Sequence, residues 1–253
     1  MNRLLNFSKR NLKEALRDPL IYIFCLGFPV AMMLLFQIIN NYTFGNTPHF
    51  EINSLLPGII TFSFSFIMLT MSLLVSKDRQ TSFLKRLYSS PMKYYDYVLG
   101  YFFVGFIIGI CQIIICIVSG LIISIILNTQ FISFAQALLL MVSQLPILIT
   151  NIFLGVLIGI LFNDKSAPGI CSIFISLSGI LGGCWMPLET MGGFETFCRF
   201  LPFYPSVSLG RIITNATTLS STTIISLITI LAYMVVSVIL SFITFNNTMV
   251  SDK

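Results

Sequence analysis

Six long stretches of this chain, residues 20–39, 56–75, 98–127, 134–162, 167–186 and 224–245, contain no Asp, Glu, Lys, Arg or His. A hydrocarbon core about 30 Å thick is crossed by roughly 20 apolar residues in a helix, so each stretch is long enough to span a bilayer. With 56% hydrophobic and 9% charged residues, the soluble globular class is excluded. Ionisable groups inside a membrane mark proton relays, ion paths and counter-ions. Their absence from every span argues against ion-coupled transport. It also argues against an intramembrane enzyme, which would need a nucleophile paired with a buried His or Asp. Energy for any movement across the membrane must therefore enter from outside the spans.

The cations are sorted along the chain. Arg3, Lys9, Arg10, Lys13 and Arg17 precede the first stretch, and Lys77, Arg79, Lys85, Arg86 and Lys93 lie between the second and third. Lys165 follows the fourth, Lys253 closes the chain, and only Arg199 and Arg211 remain for the opposite side. By the positive-inside bias this places both termini in the cytoplasm, so the net charge of +5 reflects topology rather than nucleic-acid binding. The expectation is one all-α membrane domain over residues 1–253: six transmembrane helices, an N-terminal amphipathic interfacial helix over 1–19, a cytoplasmic loop over 76–97 and a re-entrant outer segment over 187–223. The first span is too long for a secretory signal and lacks a small-residue cleavage pattern.

In residues 1–19, Leu4, Leu5, Leu12, Ala15 and Leu16 gather on one helical face, opposite Lys9, Arg10, Lys13 and Arg17, with Phe7 out of phase. This reads as a basic helix lying in the headgroup plane. Asp18-Pro19 then turns the chain into the bilayer, because the residue before a proline resists helical geometry. In the loop 76–97, Phe83, Leu84, Leu87 and Tyr88 recur at helical spacing, flanked by Lys85 and Arg86, until Ser89-Ser90-Pro91 ends the run. Apolar side chains on a cytoplasmic loop need a cover, and a soluble partner supplies one.

On the outer side, Gly179, Gly182, Gly183 and Pro187 break the end of the fifth span around Trp185 and Met186. The aromatic segment that follows is too apolar for a free loop. It fits an excursion back into the outer leaflet before span six, with Trp185 and Tyr204 as interfacial anchors. Cys184 and Cys198 both fall near this face, so a disulfide is geometrically conceivable. His49 has no companions for a metal site. On span two, Thr61, Ser65, Met68 and Ser72 share one azimuth, beside a face made by Phe62, Phe66, Leu69 and Leu73. Such a stripe suits weakly polar, adaptable contact with an amphipathic ligand, or else ordinary packing between helices.

Three landmarks together resemble the permease subunits of ABC-2-type exporters, in the drug and antibiotic-resistance branch. They are Arg17-Asp18-Pro19 before span one, Asp78-Arg79 through Leu84-Lys85-Arg86-Leu87-Tyr88-Ser89-Ser90-Pro91 after span two, and Gly182-Gly183 with Met186-Pro187-Leu188-Glu189 and Arg211 on the outer side. Ser82 stands where the pattern favours glycine, and Gly192-Gly193 where a proline is common. The resemblance implies that Phe83, Leu84, Arg86, Leu87 and Tyr88 form a coupling helix seated on an ATPase subunit. It also implies two ATPase copies per transporter, with ATP and Mg held there and no cofactor in this chain. A second permease half, identical or paralogous, completes the assembly in the plasma membrane of a bacterium. The chain's lack of a G-x-x-x-x-G-K-[ST] phosphate loop fits that division of labour. A glycan-export permease and a non-transporting sensor subunit are the alternatives.

Overall fold

In lipid every backbone N–H and C=O must be paired within its own segment, so charge-free stretches of this length become helices. The computed structural model describes residues 2–44, 47–81, 93–215 and 221–251. In chain order it contains α1 (Asn2–Ala15), a π-helical turn (Ile21–Gly27) leading into α2 (Phe28–Ile39), α3 (Ile52–Gln80), α4 (Tyr94–Ile126) and α5 (Phe134–Leu161). The shorter α6 (Ala167–Leu181), α7 (Gly193–Arg199) and α8 (Phe203–Thr214) follow, and α9 (Ser221–Ser251) ends the described chain, with no strand among these residues. Five segments are long and apolar enough to cross a membrane: Ile21–Tyr42, Ile52–Gln80, Tyr94–Ile126, Phe134–Leu161 and Thr223–Thr248. The protein is therefore an all-helical, multi-pass membrane protein.

The expected fifth span, 167–186, is helical only over α6, whose 15 residues rise about 22 Å. Beyond Leu181 the chain leaves the helix through Gly182 and Gly183, so residues 182–186 form a turn instead of a last helical turn. Span one is also irregular. Pro29 cannot donate to the Cys25 carbonyl one turn back, and the helix widens into π geometry over Ile21–Gly27 just before it.

Helix α3 is the hub, buried on nearly every face along its length and packed by α2, α4, α5, α6 and α8. Its tightest neighbour is α5. A Cβ on Gly155 would lie 2.4 Å from the Met68 carbonyl oxygen, and one on Gly159 would lie 2.6 Å from that of Ser72. Hydrogen at these two positions lets the backbones touch, which is how helices associate where lipid removes any hydrophobic drive. Helix α5 starts with a capping box: Ser133 N–H donates to Gln136 Oε1 (2.8 Å) and Gln136 N–H to Ser133 Oγ (3.3 Å). The Gln136 amide also donates to the carbonyls of Ile213 and Thr214, so one side chain satisfies the start of α5 and the end of α8.

Candidate functional site

The end of the bundle where α1 meets the last turn of α3 is built around a buried carboxylate. Asp78 lies in the last turn of α3 and is 1% exposed. Arg10 of α1 donates to both of its oxygens, Nη2 to Oδ1 at 3.2 Å and Nη1 to Oδ2 at 3.4 Å, and Tyr101 of α4 donates its hydroxyl to Oδ2 at 2.8 Å. A carboxylate withdrawn from water needs this compensation. Arg10 also holds Glu14 at 2.9 Å, and Glu14 reaches Lys77 at 3.5 Å. One step along α3, Arg79 donates to the Ile160 carbonyl at the end of α5. Helices α1, α3 and α4 thus meet at the last turn of α3, just before residue 82.

Phe7 reinforces the junction. Its ring packs edge-on against Tyr97 (5.5 Å between centroids) and Tyr101 (5.2 Å), and a Cβ on Gly100 would lie 2.3 Å from its Cδ1. The inward face of α1 is therefore Phe7, Asn11 and Ala15, all buried, whereas Leu5 and Leu16 are exposed. Sequence periodicity placed Phe7 out of phase because it assumed one apolar face in lipid. The helix instead docks on α4, and Gly100 three residues after Tyr97 was the available signal. At the chain's turn, Asp18 Oδ1 accepts from the Leu20 N–H (2.9 Å), while Arg17 and Pro19 face outward. Phe83, Leu84, Arg86, Leu87 and Tyr88, expected from the sequence to form the coupling helix, lie outside the described residues.

The span-two stripe points into the helix bundle. Thr61 donates to Gln144 Oε1 (2.9 Å) and lies 3.3 Å from Ser206 Oγ, while the Gln144 amide donates to the Ser206 carbonyl (3.1 Å). Ser65 donates to Ser178 Oγ on α6 (2.8 Å), and Met68 packs against Ile158, Ala167 and Cys171. Ser72 is buried beside the Cys171 thiol. The structure brings all four residues onto one face, and that face is covered by α5, α6 and α8. The neighbouring Phe62 and Phe66 face is closed by aromatics: Phe28 lies 5.0 Å from Phe66, and Trp185 lies 4.9 Å from Phe62.

The turn after α6 is held by Arg211. Its guanidinium donates to the carbonyls of Ser54 (3.0 Å) and Gly183 (2.9 Å) and meets Glu189 at 3.3 Å. Gly183 adopts φ +66°, a conformation that side chains resist, so the reversal after Gly182 depends on it. Trp185 stacks on Phe36 (4.8 Å) and lies over Gly179, bracing span one. Tyr204 is likewise buried and donates to Glu195 (2.9 Å). Met186 and Pro187 are exposed at the tip of the turn. Cys184 and Cys198 are free thiols, with Cys184 donating to the Gly58 carbonyl (3.1 Å). Among the described residues no cluster of side chains could hold a metal ion.

The sequence profile of the family described as "ABC-2 type transporter" matches residues 3–215. The chain is also similar to "Putative transport permease YvfS" of Bacillus subtilis (strain 168), with 23% identity over 205 residues, covering 81% of this chain and 82% of that protein.

Proposed function

The chain belongs to the ABC-2 type transporter family as a transmembrane permease subunit, and from that premise we propose that it works in an ATP-driven exporter for an apolar or amphipathic compound. A family of this kind works with an ABC ATPase. Here the ATPase engages residues 82–92, with Phe83, Leu84, Leu87 and Tyr88 as the docked face and Arg86 on its flank. Two permease halves, each served by one ATPase copy, form the transporter, with the amino and carboxyl termini on the ATPase side. The segment 187–223 re-enters the outer leaflet as a short hairpin in which α8 returns against α3 and α5.

The observation that carries this reading is the Asp78 junction. A push delivered to 82–92 enters α3 at Asp78, and Asp78 is bound in the same turn to α1 through Arg10 and to α4 through Tyr101. Movement of the docked segment is therefore shared among three helices from its first residues. The six charge-free stretches offer no proton relay or ion path, which supports a drive that arrives at that junction.

The test is a Phe83→Ala/Leu87→Ala double variant in proteoliposomes with its ATPase. Each large side chain lost from a docking surface removes roughly 1.5–3 kcal/mol of burial. Insertion should be normal, ATPase capture weak and export reduced at least tenfold. Capture and export at wild-type levels would show that this segment is not the coupling element.

A further inference from the structure

We propose that the cytoplasmic face carries a discrete site for one anionic phospholipid, formed by a basic cleft beside α1 and an apolar groove between the start of span one and α3. The cleft has a volume of about 740 Å³ and is lined by Lys9, Lys13 and Arg17, with Lys77 on its far wall. The groove, about 110 Å³, runs between Leu20 and Phe24 on one side and Phe66, Leu69 and Leu73 on the other. Glu14, Asp18 and Lys77 line both cavities, so the two are contiguous.

The charges decide what the cleft accepts. Lys9, Lys13 and Arg17 recur every fourth residue, so they line one side of α1 and its continuing turn. None of them has an acidic partner within 4 Å among the described residues. The two carboxylates in the cleft are already engaged: Glu14 by Arg10 at 2.9 Å and Lys77 at 3.5 Å, and Asp18 by the Leu20 N–H at 2.9 Å. An anionic group entering the cleft therefore meets three uncommitted cations and little repulsion. A free phosphate would leave the apolar groove unused, and a neutral lipid would leave the cations unused. A phospholipid with a net negative charge uses both, with its headgroup in the cleft and the first carbons of an acyl chain in the groove. Its source is the cytoplasmic leaflet, where the basic helix lies. Bound there it would bridge α1 and α3 next to the Asp78 junction. The inference stands apart from what the chain transports, since the lipid is a resident ligand.

Native mass spectrometry of the purified full chain tests it, with phosphatidylglycerol, phosphatidylcholine and inorganic phosphate as separate probes. One phosphatidylglycerol per chain should be retained and phosphatidylcholine should not. The triple variant Lys9→Gln/Lys13→Gln/Arg17→Gln should lose about a hundredfold in phosphatidylglycerol affinity, the product of roughly fivefold per charge. Leu73→Trp, which fills the groove, should also weaken phosphatidylglycerol while leaving any phosphate binding unchanged. Because the triple variant changes only exposed side chains, it keeps the test decisive if the tryptophan variant fails to fold. Equal retention by the triple variant overturns the site. So does displacement of the lipid by millimolar phosphate, which would make the cleft a plain anion site. A co-purified ligand that is not a phospholipid would assign the cleft to a transported compound and overturn the proposal as well.

Discussion

His49 is the residue whose surroundings most differ from what its sequence neighbours suggest. It lies in the short turn Pro48–Phe50 before α3, its Nε2 is buried without a hydrogen-bond partner among the described residues, and its ring meets Phe50 edge-on. Burial, and then the nearby positive charge of Arg211, pushes its pKa down to about 4, against a small opposing pull from Glu189. The unfolded chain takes up this proton near pH 6.5 and the folded chain does not until about 4. The folded state therefore loses stability as pH falls through that window and has the full contribution above it. In detergent, the unfolding midpoint of wild type relative to His49→Gln should fall steadily from pH 6.5 to 4. A pH-independent difference would refute the burial. A second residue-scale expectation concerns Gly155, where a methyl would press on the Met68 carbonyl. Gly155→Ala should cost about 1–3 kcal/mol of stability by forcing α3 and α5 apart. Gly169→Ala, with open space around it, should cost nothing measurable in the same thermal melt.

At the scale of elements, α1 changes most between sequence and structure. Read from 100° periodicity it is a helix that rests in headgroups on its leucines. In the structure it is fastened at two points, by Phe7 against Gly100 and by Arg10 on Asp78. Asp78→Asn keeps the shape but removes a charge-assisted pair worth about 1–3 kcal/mol. Phe7→Ala removes a packed ring worth about 3 kcal/mol. Either change should raise amide exchange in Asn2–Ala15 by one to two orders of magnitude while α5 stays protected. Unchanged exchange in α1 would mean the helix is held by lipid alone. The span-two stripe shows how the two readings of a polar face separate. Thr61, Ser65, Met68 and Ser72 were legible as one face from their spacing. What that face meets was not, because Gln144, Ser178 and Ser206 lie 83, 113 and 145 residues from their partners. The Thr61 and Ser65 hydroxyls bond to side chains of α5, α6 and α8, and a transported molecule would reach them only if α6 or α8 moved away from α3.

For the whole molecule, orientation is the largest expectation still read from charge. The six-span reading of the sequence puts twelve of the fourteen cations on one side, and Arg10 of the Asp78 junction and Lys9, Lys13 and Arg17 of the cleft belong to that group. In a cysteine-free background, a membrane-impermeant thiol reagent added outside should label Asn46→Cys and spare Lys85→Cys. The opposite pattern would invert the topology and place the basic cleft in the outer leaflet.

The sequence by itself determined that the chain is helical and crosses a membrane several times. Those properties follow from composition summed over 20-residue windows, and lipid permits hardly any other solution for such windows. It also carried the family, because short motifs in fixed order survive where overall identity is low. The tertiary structure alone decided which polar groups are spent on packing, that α6 stops after 15 residues, and that Asp78 joins three helices. Burial and hydrogen-bond partnership are properties of pairs far apart in the chain, and no local window of sequence contains both members.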